Sequence, residues 1–334
     1  MAPDPGPVDD IASLLDRVTR VTSHVALSEH KRMELHHAAA SVPTTGDTRL
    51  VAGVLARAGD RSGLIGYAPL VGSQESRRYA VEVAVEPEAD PDGQLYDLVV
   101  DTVVDVVKRL GGGWLRLWTA AARDIDDARA LAHGLRVERS LVQMRCALPL
   151  PDHPGSGPTI ETRPFRPGLD EEAWLITNNR AFASHPEQGR WDLSTLLERE
   201  KEPWFDPDGL LLLEEDGRVA GSSWTKVHRD TDPPMGEIYV IGVDPDFHGR
   251  GWGRALTEAG LAWLSGRGLT VGMLYVDADN VPALSMYRSM GFAEDHVDRA
   301  YLGQFGPADD EIGSAGTHQM ADGVGDGGGD TRDE

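Results

Sequence analysis

The sequence predicts a mixed α/β (α+β) protein made of two similar units in tandem, each a mixed sheet flanked by helices. Three observations predict it. Apolar runs of strand length alternate with helix-period runs through the 334 residues. A stretch crowded with Pro and Gly, from Pro149 to Pro158, interrupts the chain near its middle. The elements on either side follow the same order, and the length exceeds one ordinary domain of about 150 residues. The expected division is a first unit over 8–148, a linker over 149–158, a second unit over 159–305, and a tail over 306–334. The tail carries eight acidic residues, eight glycines and one basic residue, so it has too little to bury and is expected to be disordered.

In the first unit, helices are expected near Val8 to Arg20 and Glu29 to Ala40, then strands over Arg49 to Arg57, Leu64 to Pro69 and Tyr79 to Val85. A helix over Leu95 to Leu110 leads to a strand at Trp114 to Trp118, a helix over Ile125 to His133 and a closing strand around Leu141 to Leu148. In the second unit, a strand-like opening at Thr159 to Arg163 precedes helices over Glu171 to Phe182 and Ser194 to Glu200. Strands follow at Gly209 to Glu214, Val219 to His228 and Glu237 to Val243, with Asp216-Gly217 as a hairpin turn. A helix from Trp252 to Ser265, a strand over Thr270 to Val276 and a helix capped by Asn280 and ended by Gly291 complete the order.

Composition narrows the function. Hydrophobic residues at 40% and charged residues at 26% suit an ordinary globular chain. No apolar run reaches the roughly 20 residues of a membrane span, and no basic flank with an apolar core opens the chain, so a cytoplasmic protein is expected. Cys146 is the only cysteine, which excludes an intrachain disulfide and a cysteine-cluster metal site; no metal is expected. A net charge of -23 disfavours nucleic acid and suits an amine-bearing substrate, although an acidic surface also simply aids solubility. A monomer with a small-molecule partner is expected.

The stretch from Glu237 to Arg254 carries the chemistry: an apolar strand, a turn at Asp244-Pro245, a Gly-rich basic loop and a helix start near Trp252. Such a loop aims unpaired backbone N–H groups and a helix N-terminus at one point, which suits a pyrophosphate. At the equivalent place the first unit has Glu86-Pro87-Glu88-Ala89-Asp90-Pro91-Asp92-Gly93, an acidic loop with one glycine that repels phosphate.

The Val243-Asp244-Pro245 strand end, the spacing Gly251-x-Gly253, and the later Asp279-Asn280-x-x-Ala283 with Tyr287 resemble the GCN5-related N-acetyltransferase (GNAT) superfamily. Its loop motif has Gln or Arg where this chain has His248. The tandem order, with Asn178-Asn179-Arg180-Ala181-Phe182, His185-Pro186-Glu187-Gln188-Gly189, Trp224-Thr225-Lys226-Val227-His228 and Leu274-Tyr275-Val276-Asp277-Ala278-Asp279-Asn280, is similar to the mycothiol synthase family. That resemblance spans about Asn178 to Phe292 and is looser over the first unit.

The resemblance implies acetyl-CoA as cosubstrate and, as acceptor, the cysteinyl amine of desacetylmycothiol. It implies that Ile241, Gly242 and Val243 meet the pantetheine arm, and that His248, Gly249, Arg250, Gly251, Trp252, Gly253 and Arg254 hold the pyrophosphate. Asn280, Val281, Pro282, Ala283, Leu284 and Ser285 complete that site, Asn280 doubling as a helix cap. Glu237 is the candidate base: an α-amino group near pKa 7.7–8.0 is roughly a seventh neutral at pH 7, so a mild base suffices. Tyr287 is the candidate acid for the departing thiolate, with the Val243 N–H on the oxyanion. Glu29, Glu187, Lys226, Glu237 and Tyr275 match acceptor-contacting positions. Val83, Ala84 and Val85 mark an equivalent acetyl-CoA position in the first unit, where tight binding is not expected. Cys146 lies in an apolar run, so direct transfer is favoured over a covalent acyl carrier. Two alternatives stay open: a different amine acceptor (aminoglycoside, polyamine or protein N-terminus), and a non-catalytic acyl-CoA-binding module.

Overall fold

The structure, a computed structural model, describes residues 8–22, 27, 49–57, 63–150, 157–183 and 189–308. The expected helix over Glu29 to Ala40, most of the linker, nearly all of the tail, and the candidates Glu29 and Glu187 lie outside the described residues.

The first half contains α1 (Val8–Thr22), β1 (Arg49–Arg57), β2 (Leu64–Ser73), β3 (Arg78–Glu82), β4 (Ala84–Val85), α2 (Gln94–Arg109), β5 (Gly113–Thr119), α3 (Asp124–Ala132) and β6 (Arg136–Ala147). The second contains β7 (Thr162–Pro164), α4 (Glu171–Ala181), α5 (Leu193–Glu200), β8 (Leu210–Glu215), β9 (Arg218–His228), β10 (Met235–Val243), α6 (Trp252–Gly266), β11 (Val271–Asp277), α7 (Val281–Ser289) and β12 (Ala293–Phe305). The expected elements fall on these within a few residues. β12 is the exception, since the sequence reading ends at Gly291. Its charged opening, Glu294-Asp295-His296, masks the strand pattern, and a bulge at Asp295 breaks the alternation.

Among the described residues the strands form one continuous sheet in the order β1-β2-β3-β5-β12-β6-β11-β10-β9-β8-β7, with β4 on β2. The two halves share this sheet and exchange their closing strands. β6, the end of the first half, lies antiparallel to the whole of β11 through its residues Leu141 to Ala147. β12, the end of the second, lies antiparallel to β5. The exchange reaches the cores. Tyr301 of β12 packs with Val99, Val103, Leu115 and Leu117 of the first half, while Val142, Met144 and Cys146 of β6 pack with Leu261, Leu264 and Leu274 of the second. Each buried side chain of this size contributes about 1.5–3 kcal/mol, which favours the exchanged pairing over a free edge.

The helices are held by burial rather than by intrinsic preference. α2 sets Val99, Val100, Val103, Val104 and Val107 on one face, and their packing overrides the modest helix propensity of valine. α6 buries Ala255, Leu256, Leu261 and Leu264. At Gly260 a Cβ would come 2.5 Å from Ser223 Oγ and 2.7 Å from Ile238 Cδ1, so glycine is what lets this helix seat closely on β9 and β10.

Candidate active site

β10 and β11 run parallel and pair from Met235 with Val271 to Ile238 with Leu274, where the ladder ends. Both continue, β10 to Val243 and β11 to Asp277. The cause is local. On its other edge β10 pairs with β9, and the register slips by one residue between Ile238 and Val240, making Tyr239 a bulge. A bulge bends and twists its strand, so β10 leaves β11 and opens a wedge whose inner edge is the backbone of residues 239–243. Ile241, Gly242 and Val243 therefore offer the edge to which an extended amide chain can add as a strand.

The far end of that edge is anchored. Asp244, fully buried, accepts from Arg180 of α4 at 2.7 and 3.2 Å and from the Asp246 N–H at 2.9 Å. Burial pushes its carboxyl up, but the Arg180 hydrogen bonds, the Asp246 N–H and the charges of Arg180 and Arg218 together outweigh this and hold it below the usual range. Gly242 admits the same helix: a Cβ there would come 3.0 Å from Ala181 and 3.2 Å from the Phe182 ring.

Beyond Asp244 the loop reaches α6 through Gly249 at φ 80° and Gly251 at φ 76°, left-handed values that favour glycine. The α6 N-terminus has no side-chain cap and no acidic residue in its first turn, and a Cβ at Gly249 or Gly253 would meet nothing within 4 Å. Uncapped N–H groups, a positive dipole end and open space fit a pyrophosphate, and together with the open strand edge they fit a coenzyme A thioester. Arg250 sits beside this opening, its guanidinium over the stacked Phe247 and Trp252 rings at 5.2 and 5.0 Å and 3.4 Å from Glu215. His248 turns its ring back, Nε2 donating to the Val243 carbonyl at 2.9 Å, and so bridges the loop to the strand end. Arg254 turns instead to Ser289 of α7 and to Glu258. Asn280 caps α7, accepting from the Ala283 N–H at 3.2 Å.

Glu237 lies at the root of the wedge, 8% exposed. Its Oε2 is 2.7 Å from Nε2 of His228, a diagonal neighbour on β9. With the imidazole donating, that oxygen is occupied and Oε1 is the one left to meet an amine. In the sequence His228 stands only inside the Trp224-Thr225-Lys226-Val227-His228 motif. Two residues along the same face, the signal was there: a strand carrying Trp224, Lys226 and His228 on alternating positions is half polar where a core strand is not.

Lys226 pairs with Glu237 across the strands and is buried, its ammonium 4.5 Å from the Trp204 ring and 5.4 Å from Tyr239. Tyr275 lies on β11 with its hydroxyl accepting from Gln143 Nε2 at 2.7 Å. Burial raises its pKa, and the carboxylates of Asp298 and Glu237 raise it further, which puts Glu237 and Tyr275 within electrostatic reach of each other. Tyr287, 6% exposed on α7, reaches α6, where Thr257 hydrogen-bonds its hydroxyl; burial pushes its pKa up to about 12 despite that bond. Thr257 in turn donates to the Gly253 carbonyl at 2.8 Å, so Tyr287 abuts the first turns of the phosphate-facing helix. Burial also pushes the Cys146 thiol up to about 12, which removes it as a nucleophile at neutral pH.

The corresponding place in the first half is built differently. β3 pairs with β5 without interruption from Arg78 with Trp114 to Glu82 with Trp118, one residue from the end of β5. Val83 to Val85 carry on in the same register against β2 without a bulge. At the α2 N-terminus Asp90 accepts from the Leu95 N–H at 2.8 Å and the Tyr96 N–H at 3.0 Å, and Arg129 packs over Gly93.

The sequence matches the acetyltransferase (GNAT) family over residues 174–292, the stretch that holds the wedge, the loop and both candidate catalytic side chains. A mycothiol acetyltransferase of Thermomonospora curvata is 46% identical over 244 residues, 71% of this chain and 78% of that protein. One from Streptomyces avermitilis is 39% identical over 299 residues, 89% of this chain and 92% of its own. The chain belongs to the mycothiol acetyltransferase family. Solved structures show the same fold. A GCN5-related N-acetyltransferase from Sphaerobacter thermophilus superposes with a TM-score of 0.66 at 22% identity, covering 92% of this chain and 95% of that one. A tandem GNAT protein from the clavulanic acid biosynthesis pathway gives 0.62 at 15% identity, covering 91% and 98%. As a mycothiol acetyltransferase family member the chain is an acetyltransferase of tandem GNAT architecture. Among its described residues no cluster suited to a metal ion occurs, and no helix is long and apolar enough to cross a membrane.

Proposed function

We propose that the chain, acting as a cytoplasmic monomer, transfers the acetyl group of acetyl-CoA to the cysteinyl amine of desacetylmycothiol, a cysteine-glucosamine-inositol conjugate, giving mycothiol and CoA by direct transfer in a ternary complex. The observation that carries the reading is the wedge at Tyr239 with buried Glu237 at its root and the uncapped α6 N-terminus at its mouth.

When bound, acetyl-CoA supplies an activated acetyl thioester. Residues 241–243 take the pantetheine amides along the strand edge, and the loop from His248 to Arg254 takes the pyrophosphate on its N–H groups, with Arg250 adding charge. The α7 N-terminus, Asn280 to Ser285, closes the other side. Glu237 receives the amine proton on Oε1 while His228 holds Oε2. The Val243 N–H stabilises the charge that builds on the acetyl oxygen. Tyr287 remains protonated at neutral pH, as its raised pKa requires of an acid, and supplies the proton that leaves with the CoA sulfur. Lys226, Glu237 and Tyr275 line the acceptor cleft, with Glu29 and Glu187 as further acceptor contacts. The division into units at 8–148 and 159–305 is part of the same reading, with catalysis assigned to the second unit and no tight acetyl-CoA binding at Val83, Ala84 and Val85.

The test is acetyl-CoA consumption by the purified full chain with desacetylmycothiol, an aminoglycoside, a polyamine and a peptide N-terminus. Desacetylmycothiol is expected to be turned over with the highest kcat/KM. A higher value for any of the others would overturn the acceptor assignment while leaving acetyl transfer intact.

A further inference from the structure

Tyr275 is 39% exposed at the cleft, whereas Gln143 behind it is 4% exposed. Gln143 sits directly across from Tyr275 on the neighbouring strand and comes from β6, the strand that the first half lends to the second. Its amide is not symmetric in its surroundings. Arg145 Nε reaches the Gln143 oxygen at 2.8 Å, and a guanidinium can only donate. The Gln143 carbonyl must therefore face Arg145 and its NH2 must face Tyr275, where it donates to the hydroxyl oxygen at 2.7 Å. Arg145 is itself held by Asp295 of β12 at 3.0 Å. Arg145 thus donates both ways, to Asp295 and to Gln143, and from Arg145 to Gln143 to Tyr275 the direction of donation is fixed. With its oxygen taken from behind by Gln143, the Tyr275 hydroxyl is left with a hydrogen to give.

From this we propose that Gln143 is a specificity-determining positioning residue: it fixes Tyr275 as a hydrogen-bond donor toward the acceptor, so that this part of the cleft reads an oxygen lone pair, such as a sugar or cyclitol hydroxyl, and not an ammonium. The first half thus contributes to acceptor choice through its exchanged strand although its own cofactor position is plugged. The inference rests on the assignment of Tyr275 to the acceptor cleft. Sites built to hydrogen-bond a substrate hydroxyl discriminate strongly against analogues lacking it, because a buried or half-buried polar group is then left unpaired.

Gln143→Glu tests it, because a carboxylate of the same shape keeps Arg145 but accepts from Tyr275 and turns that hydrogen inward. In the full chain the KM for desacetylmycothiol should rise about tenfold, the size expected for one lost hydrogen bond, with the KM for acetyl-CoA within about twofold of wild type. The preference for desacetylmycothiol over free cysteine, an amine without the hydroxylated rings, should fall by the same about tenfold factor. Tyr275→Phe should lose the same preference, and adding Gln143→Glu to it should cost nothing more. Gln143→Met, which fills the site without a donor or a charge, serves if the glutamate variant does not fold and should lose part of the preference. If Tyr275→Phe loses the preference and neither Gln143 variant does, the inference is wrong and the Tyr275 assignment stands. If Tyr275→Phe keeps the preference, both are wrong. An equal rise in the acetyl-CoA KM on changing Gln143 would mark general damage at the seam and also overturns the inference.

Discussion

The two halves of the sheet repeat one plan and differ at three points that bear on the proposed acetyl-CoA site. In the second half, one extra residue at Tyr239 drives β10 away from its parallel partner after Ile238. In the first half, β3 and β5 stay paired to within a residue of the end of β5, and no bulge follows. In the second half, the helix after the loop begins on glycines with its N–H groups uncapped; in the first, Asp90 already occupies two of those groups. The root of β3 carries Tyr79 and Ala80 and no acid; Tyr79 is buried and cannot act as a base near neutral pH because burial raises its pKa further. The two halves thus share the plan of the fold, while the proposed site rests on one inserted residue, one absent carboxylate and one buried acid.

The largest effect is expected at that acid. Glu237→Gln would give the second half a root as inert as Tyr79, and kcat should fall by about a thousandfold, within the range for removing a general base, with acetyl-CoA affinity unchanged. Loss of acetyl-CoA binding instead, by calorimetry, would mean that Glu237 supports the wedge and not the proton transfer.

Next in size is a carboxylate placed where the second half has none. Gly249→Asp puts one into open space at a left-handed position that aspartate tolerates better than most residues. It makes the α6 mouth resemble that of α2, and the repulsion of a pyrophosphate should raise the KM for acetyl-CoA about a hundredfold while kcat at saturation changes little. An unchanged KM would show that the loop is not where the phosphates lie.

A smaller change is expected from Tyr287→Phe. A thiolate with a pKa near 8.5 leaves readily, so removing its proton donor should lower kcat only about tenfold. The pH dependence has a definite sign. A hydroxyl pushed up to about 12 stays protonated across the working range, so the wild-type enzyme should show no alkaline fall in kcat from this group below about pH 11. A fall near pH 9 that vanishes in Tyr287→Phe would mean that the donor titrates where its burial says it should not.

How much of this was legible in the sequence follows from what each feature needs. Apolar alternation sufficed for nearly every strand and helix, and the glycine pair around Arg250 sufficed for the loop, because both are local. Glu237 was legible as a strand-end acid in a motif. The exchange of β6 and β12 was not, since a period of two says that a strand has a buried face but not which strand lies beside it. For the same reason Gln143 could not be connected with Tyr275, 132 positions away in the chain, nor could Arg180 with Asp244, 64 away. His228 was nearer, nine residues from Glu237. Its role still depended on the bulge-free register between Met235 and Ile238, which no single-sequence pattern specifies.

The smallest effect tests whether the strand edge or the helix cap sets the two halves apart as proposed acetyl-CoA sites. Asp90→Ala removes the carboxylate from the Leu95 and Tyr96 N–H groups, and losing a cap of this kind should cost about 1 kcal/mol of stability. With the acetyl-CoA site in the second half alone, as proposed, activity should not change. If the missing wedge is the deeper defect, calorimetric titration of Asp90→Ala with CoA will still give one site per chain: an opened helix end without a strand edge for the pantetheine arm has only phosphate contacts to offer. Two sites of comparable affinity would reverse that ranking. The β3 edge would then be competent as it stands, and a single aspartate would be what silences it.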